Sequence, residues 1–155
     1  FFKKKVLREV DEQEFFEQIP GLRSILGDRP VLRALHFFEE EKRVEKQVEA
    51  LEQGDFRRFL ELVKETGNSS FKYLQNIYIN RDEQNQAMSV ALGASESILQ
   101  NHGVSRVHGG GFAGTIQVFV ENSYVEEYRK KIDHIFGKDS CHVLKVRQLG
   151  GIKVI

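Results

Sequence analysis

Apolar residues recur at steps of three and four over one long segment in the first third of the chain. The stripe begins after Asp28-Arg29-Pro30, which suits a helix start because proline is tolerated in the first helical turn. Only the position near Glu41 interrupts the stripe. The spacing predicts an amphipathic helix over about 31–53, with apolar positions at Val31, Leu35, Phe38, Val44, Val48 and Leu51.

A second helix is predicted directly after the first. Gly54 ends the long helix, and Asp55 is suited to cap the next one. The segment from Thr66 to Ser70 is small and polar, and this composition is typical of a turn. The buried side of the second helix is expected to consist of Phe56, Phe59, Leu60 and Val63.

Helix and strand patterns alternate in the second half of the chain. One helix is predicted from Asp82 to about Gln100. Another runs to Phe136 and is opened by the capping-box motif Ser123-x-x-Glu126. Segments rich in β-branched residues predict strands at 104–108, 115–120 and 141–146.

These elements predict an α+β fold. If Val6–Val10 supplies an earlier strand, the order becomes the split βαβ pattern of a ferredoxin-like domain with extra helices inserted. Repeats, low-complexity tracts and linkers do not divide the sequence. We therefore expect one domain over 1–155, with an antiparallel sheet and several helices packed on it.

Composition excludes several classes of protein. The 155 residues include 23 Lys and Arg against 23 Asp and Glu, which argues against a broad nucleic-acid surface. No apolar stretch reaches the roughly 20 residues of a membrane span, and no apolar run follows the basic cluster at 3–5 as in a signal peptide. The single cysteine, Cys141, predicts a reducing, cytoplasmic compartment without disulfides. The histidine spacing indicates no zinc site. The lack of a starting methionine suggests a piece of a longer protein.

The most informative segment is the glycine-rich run between the strands predicted at 104–108 and 115–120. Four of the chain's 13 glycines lie within six positions, and the run is neither a P-loop nor a Rossmann fingerprint. One interpretation is a loop whose backbone N–H groups face an anion. The other, slightly favoured by spacing alone, is a wide hairpin connection that needs unusual backbone angles. The residues concerned are Gly109, Gly110, Gly111, Phe112 and Gly114.

This run resembles the third motif of the galactokinase, homoserine kinase, mevalonate kinase and phosphomevalonate kinase superfamily. Galactokinases usually have Gly-Ala/Gly-Gly-Phe-Gly-Gly there, and Gly109 to Phe112 and Gly114 match it. Ala113 replaces a usual glycine, and His108 stands where Thr or Ser is usual. The resemblance implies that Gly109, Gly110, Gly111, Phe112 and Gly114 contribute to the binding of ATP.

Three further segments resemble galactokinases in the same order. Arg33-Ala34-x-His36-x-x-x-Glu40-x-x-Arg43-Val44 is similar to the long helix that begins their carboxy-terminal half. The segment 59–70 resembles the following helix and its serine-containing turn, and 136–151 resembles a closing strand. The sugar-binding motif, the phosphate loop and the catalytic Asp and Arg of galactokinases, all from their amino-terminal half, have no match here.

The resemblance implies a carboxy-terminal domain of an ATP-dependent sugar kinase that converts galactose and ATP to galactose 1-phosphate and ADP. The full-length parent would use ATP and Mg²⁺, whereas this chain alone is expected to bind no cofactor and to be inactive. Its partners would be the missing amino-terminal kinase domain and the sugar, with neither nucleic acid nor membrane. The alternative is a non-catalytic ferredoxin-like module that binds a small ligand or another protein.

Other polar residues have structural interpretations. His36 is expected to be a hydrogen-bonded structural histidine, and His108 to shape the glycine-rich run through a hydrogen bond. Ser69 and Ser70 lack the partners of a nucleophilic triad. Cys141 is expected to be an inert core thiol.

Overall fold

Helices dominate the structure, a computed structural model that describes residues 1–111 and 114–146. Short helical turns at Leu7–Glu9, Ser70–Leu74 and Asn122–Tyr124 accompany the longer elements. The predicted α+β class is confirmed. The helices are α1 (Glu12–Leu26), α2 (Asp28–Glu52), α3 (Phe56–Ser69), α4 (Ala87–Leu99) and α5 (Val125–Phe136), and the strands are β1 (Gly103–Val107) and β2 (Ile116–Val120).

The two strands form an antiparallel hairpin and are paired along their full length. Successive strand residues point to opposite faces of a sheet, and helices cover both faces here. On one face, Phe119 contacts Phe59 of α3, with ring centroids 5.6 Å apart. On the other, Val118 and Val120 pack against three buried residues of α4 and α5, namely Leu99, Tyr128 and Ile132. The hairpin therefore lies between α3 and the α4–α5 pair.

Sequence analysis assigned no element to the segment of the first helix, α1, which has Pro20 inside it. Proline removes one helical hydrogen bond and usually ends or kinks a helix. Two other contributions stabilise α1. The side chain of Asp11 caps it by accepting from the Glu14 N–H at 2.9 Å, and its apolar side joins a core cluster with α2. That cluster consists of Val10, Phe15, Leu22, Val31 and Phe38.

The two helices that follow confirm their predictions, apart from the burial of some apolar residues. α2 begins at Asp28, after Gly27, whose φ of 82° turns the chain out of α1. α3 is capped by the Asp55 carboxylate, which accepts from the Arg58 N–H at 2.9 Å. In α2 the buried residues of the long stripe are Val31 and Phe38, whereas Val44, Val48 and Leu51 are about half exposed. Phe56 of α3, expected to be buried, is also about half exposed.

Two of the four strands required by the ferredoxin-like order do not form. The segment Val6–Val10 contains a 3₁₀ turn at Leu7–Glu9 instead, and this turn lets Leu7 and Val10 join the α1–α2 core cluster. Residues 141–146 have no regular secondary structure. A strand is stabilised by hydrogen bonds to a neighbour, and within the described ranges β1 and β2 pair only with each other.

Three predicted turns and caps are also wrong. The segment from Thr66 to Ser70 is helical, because it ends α3 and continues as the turn Ser70–Leu74. Asp82 caps an isolated turn by accepting from the Asn85 N–H at 3.0 Å, and α4 starts later. The predicted capping box does not form, since α5 begins at Val125 without a side-chain cap.

Candidate functional site

The glycine-rich run forms the connection between β1 and β2. The N–H of His108 donates to the Thr115 carbonyl at 3.2 Å, which extends the hairpin ladder by one pair. Gly109, Gly111 and Gly114 have φ values of 65°, 84° and 78°. Residues with a side chain rarely adopt such angles. The unusual backbone angles expected of a wide hairpin connection are therefore present at these three glycines.

The glycines of this connection differ in their surroundings. Around Gly109, Gly110 and Gly114, an added Cβ would meet no atom of the described residues within 4 Å. A Cβ at Gly111 would overlap the carbonyl oxygen of Asn76 and lie 2.8 Å from its carbonyl carbon. Glycine is therefore required at Gly111 both by the backbone angle and by close packing. Another predicted site residue, Phe112, lies outside the described residues, as does Ala113.

The segment that Gly111 contacts, Leu74–Asn76, is held by two arginines of α2. Arg29 Nη2 donates to the Gln75 carbonyl at 2.7 Å. Arg33 Nε donates to the Leu74 carbonyl at 3.3 Å, and its Nη2 donates to Oδ1 of Asn76. Gln75 itself has a left-handed backbone, with φ 56° and ψ 38°. The α2 segment and the glycine-rich run, which sequence analysis treated separately, thus meet at Leu74–Asn76.

Further along α2, other residues of the Arg33-to-Val44 motif connect this helix to α3. The Nδ1 atom of His36 lies 2.9 Å from Oγ of Ser69. The carboxylate of Glu40 accepts from Oγ1 of Thr66 at 2.9 Å and forms an ion pair with Arg43, whose side chain is 11% exposed. The predicted structural role of His36 is confirmed. The small polar residues mistaken for a turn are the partners of this α2 motif.

Burial lowers the pKa of His36; the charge of Glu40 raises it by a smaller amount, and the charge of Arg43 lowers it further. A folded chain that binds this proton less tightly than the unfolded chain loses stability as pH falls through the unfolded pKa of about 6.5. We therefore expect the thermal midpoint of unfolding to fall as the pH is lowered from about 7.5 to 5.5, and we expect His36→Gln to reduce that fall. Thermal unfolding at both pH values measures it, with the exposed His134→Gln as the control. An unchanged fall in His36→Gln would contradict this expectation.

The remaining candidate residues lie away from the glycine-rich run or contribute through the backbone. The imidazole of His108 is exposed, and among the described residues its backbone N–H makes the hydrogen bond that shapes the run. Cys141 is half-buried, and burial raises the pKa of its thiol, as expected of an unreactive cysteine. Sequence analysis missed the exposed pair His102 and Glu121, whose Nδ1 and Oε2 atoms are 2.8 Å apart.

Sequence analysis also missed Arg29, Gln75 and Asn76. Arg29 was treated only as part of a helix start, and Gln75-Asn76 as part of an unassigned stretch. The one available signal was a polar pair between apolar neighbours, Leu74 and Ile77. Gln75 and Asn76 lie more than 40 positions from their partners Arg29 and Arg33. Local spacing therefore could not identify the contact.

The arrangement favours the binding of an anion over acid–base chemistry. Backbone N–H groups next to left-handed glycines can form a concave anion site, and open space at Gly109, Gly110 and Gly114 leaves the backbone accessible. Within 1–111 and 114–146, no group of three or more His, Cys, Asp or Glu side chains is placed to hold a metal ion. None of the helices in these residues is both long and apolar enough to cross a membrane.

Comparison with known proteins identifies relatives of this chain by sequence. No family model matches the chain. A galactokinase of Mannheimia succiniciproducens is 34% identical over 132 residues, which is 85% of this chain. Galactokinases of Glaesserella parasuis and Thermotoga maritima are 31% and 34% identical over 90% and 86% of the chain. The chain is thus similar to galactokinases over most of its own length.

The galactokinase similarity covers only part of each relative. The matched region is 32%, 34% and 37% of the lengths of these three galactokinases. The chain therefore spans about a third of the length of the curated relatives that it matches.

Proposed function

We propose that this chain is the carboxy-terminal domain, over 1–155, of an ATP-dependent sugar kinase. The proposed reaction transfers the γ-phosphoryl group of ATP to the anomeric hydroxyl of galactose, giving galactose 1-phosphate and ADP. The main support is the glycine-rich hairpin connection, in a chain that matches galactokinases over 85–90% of its length. The cytoplasm is the compartment that fits this function.

The proposed role of the hairpin connection is to bind the phosphate groups of ATP. Phosphoryl transfer depends mainly on positioning and on stabilising charge, and backbone N–H groups supply both. Open space at three of the glycines supports a close approach of a phosphate. We assign this role to Gly109, Gly110, Gly111, Phe112 and Gly114.

ATP would enter the site with Mg²⁺, which neutralises charge on the transferred phosphoryl group. The described residues contain no cluster of metal ligands. We therefore assign no Mg²⁺ ligand to them, and this chain's contribution is to bind and orient phosphate through the glycine-rich backbone. The sugar-binding residues, a further phosphate loop and the catalytic Asp and Arg are proposed to come from the missing amino-terminal domain.

The chain alone is expected to show no galactose-dependent release of ADP. The reason is that the residues proposed to bind the sugar and to activate its hydroxyl are not in this sequence. A coupled ADP-release assay with galactose and Mg²⁺–ATP measures it, with the full-length parent as the positive control. Robust turnover by the purified chain would contradict the division of roles between two domains.

The positive control also tests the proposed function itself. A full-length parent that releases ADP only in the presence of a sugar supports it. A folded parent with no such activity on any hexose would refute it and favour the non-catalytic ligand-binding or interaction module.

A further inference from the structure

The Leu74–Asn76 segment packs against the glycine-rich connection at Gly111 and itself contains a residue with unfavourable backbone angles. Gln75 adopts the left-handed region, which non-glycine residues occupy only when their surroundings impose it. Asn76 presents its carbonyl to Gly111 so closely that no side chain fits between them. The conformation of this segment therefore decides where the middle of the connection lies.

Arg33 is suited to impose that conformation. Its guanidinium donates from Nε to the Leu74 carbonyl and from Nη2 to the Asn76 side chain, one residue on each side of Gln75. A planar guanidinium offers several donors in a fixed geometry, whereas the ammonium group of lysine is a single compact charge. Hydrogen bonds from a charged donor are also roughly twice as strong as neutral ones. Arg29 adds one bond to the Gln75 carbonyl from the same helix.

We propose that Arg33 is a positioning residue: it holds Leu74–Asn76 in the conformation that supports Gly111, and thereby sets the position of the glycine-rich connection. The proposal rests on the proposed function for its catalytic consequence. It also explains physically why the α2 motif and the glycine-rich motif occur together in one chain. A displacement of about 1 Å in a positioning element can reduce the rate of a reaction about a hundredfold.

The test compares two lysine variants in the full-length parent. Arg33→Lys keeps the charge but cannot reach both acceptors in the same geometry. Arg57→Lys is the matched control, because the Arg57 side chain is 91% exposed and, among the described residues, pairs only within its own helix, with Glu61. We expect Arg33→Lys to lower kcat at least about tenfold, to change the KM for galactose less than twofold, and to speed hydrogen exchange at Gly110 and Gly111. The control should change none of these.

A rescue experiment separates positioning from a general loss of stability. Asn76→Asp keeps the shape of this side chain but replaces its neutral acceptor by a carboxylate, so that the ammonium group of Arg33→Lys gains a stronger, charge-assisted interaction at this position. The double variant Arg33→Lys/Asn76→Asp should therefore recover at least about fivefold in kcat over Arg33→Lys. Recovery with slower loop exchange supports the proposal, whereas equal kcat and exchange in Arg33→Lys and Arg57→Lys would overturn it. A parent without kinase activity would refute the proposed function. If hydrogen exchange at Gly110 and Gly111 in that parent still becomes faster in Arg33→Lys, the inference that Arg33 positions Gly111 would stand.

Discussion

Gly111→Ala in the full-length parent is expected to reduce turnover at least about tenfold, equivalent to 1.4 kcal/mol in the barrier. The added methyl group would overlap the Asn76 carbonyl, and the φ of 84° at Gly111 is strained for alanine. The connection must therefore move away from Leu74–Asn76, and the N–H groups proposed to bind phosphate move with it. Steady-state turnover with saturating galactose and ATP measures the loss.

Gly93→Ala is the control for this substitution. Gly93 lies in α4, outside the residues proposed to bind phosphate, and a Cβ added there meets no atom of the described residues within 4 Å. Turnover of the Gly93→Ala parent should stay within about threefold of the unmodified parent's. Thermal midpoints of this chain with each substitution complete the test. A large fall in midpoint for Gly111→Ala with near-normal turnover would show that the glycine serves folding only.

Gly103→Ala is expected to lower the free energy of unfolding by about 1–3 kcal/mol or more, as overpacking of a tight interior usually does. A Cβ at Gly103 would overlap the carbonyl oxygen of Phe119 and lie 3.0 Å from the Cα of Val120. Both atoms belong to the backbone of the paired strand, so the strands must separate to make room. Urea unfolding of this chain, followed by circular dichroism, measures the change.

Gly93→Ala provides a control of opposite sign for Gly103→Ala. Gly93 lies in α4, and an added Cβ there meets no atom within 4 Å. Alanine favours a helix over glycine by about 0.5–1 kcal/mol, so this variant should be more stable than the unmodified chain. A Gly103→Ala variant as stable as Gly93→Ala would show that the hairpin tolerates a wider spacing at its open end.

Helices with a clear apolar period were predictable because their pattern is local. The start of α2 at Asp28 and the cap of α3 at Asp55 follow from nearby residues alone. Local rules failed where distant contacts decide the structure. No element was assigned to the segment of α1, where the core cluster around Phe15 and Leu22 stabilises a helix despite the hydrogen bond lost at Pro20.

Strands were less predictable because each needs a partner. The hairpin β1–β2 pairs with itself through a short connection, so its two apolar segments were enough. The segment 141–146 has a comparable composition, but its strand would need a neighbour from elsewhere in the chain. Its side chains Val143, Leu144 and Val146 are exposed instead.

The candidate site was only half predictable from the sequence. The run of glycines identifies an unusual backbone, and three of them indeed have positive φ. Nothing in their spacing, however, distinguishes Gly111, which packs against Asn76, from Gly110, which faces open space. That difference depends on Arg33 and on a segment more than 30 positions before the connection, and such contacts exist only in the folded chain.

Because α2 is one continuous helix, the number of residues between two of its polar side chains fixes the angle between them around the helix axis. A helix turns by about 100° per residue, so an extra residue between Arg33 and His36 would rotate one group of contacts against the other by that amount. Either Leu74–Asn76 would lose Arg33, or Ser69 and Thr66 of α3 would lose His36 and Glu40. Insertions and deletions should therefore be tolerated beside Gly54, where the chain turns between helices, and rejected between positions 33 and 40.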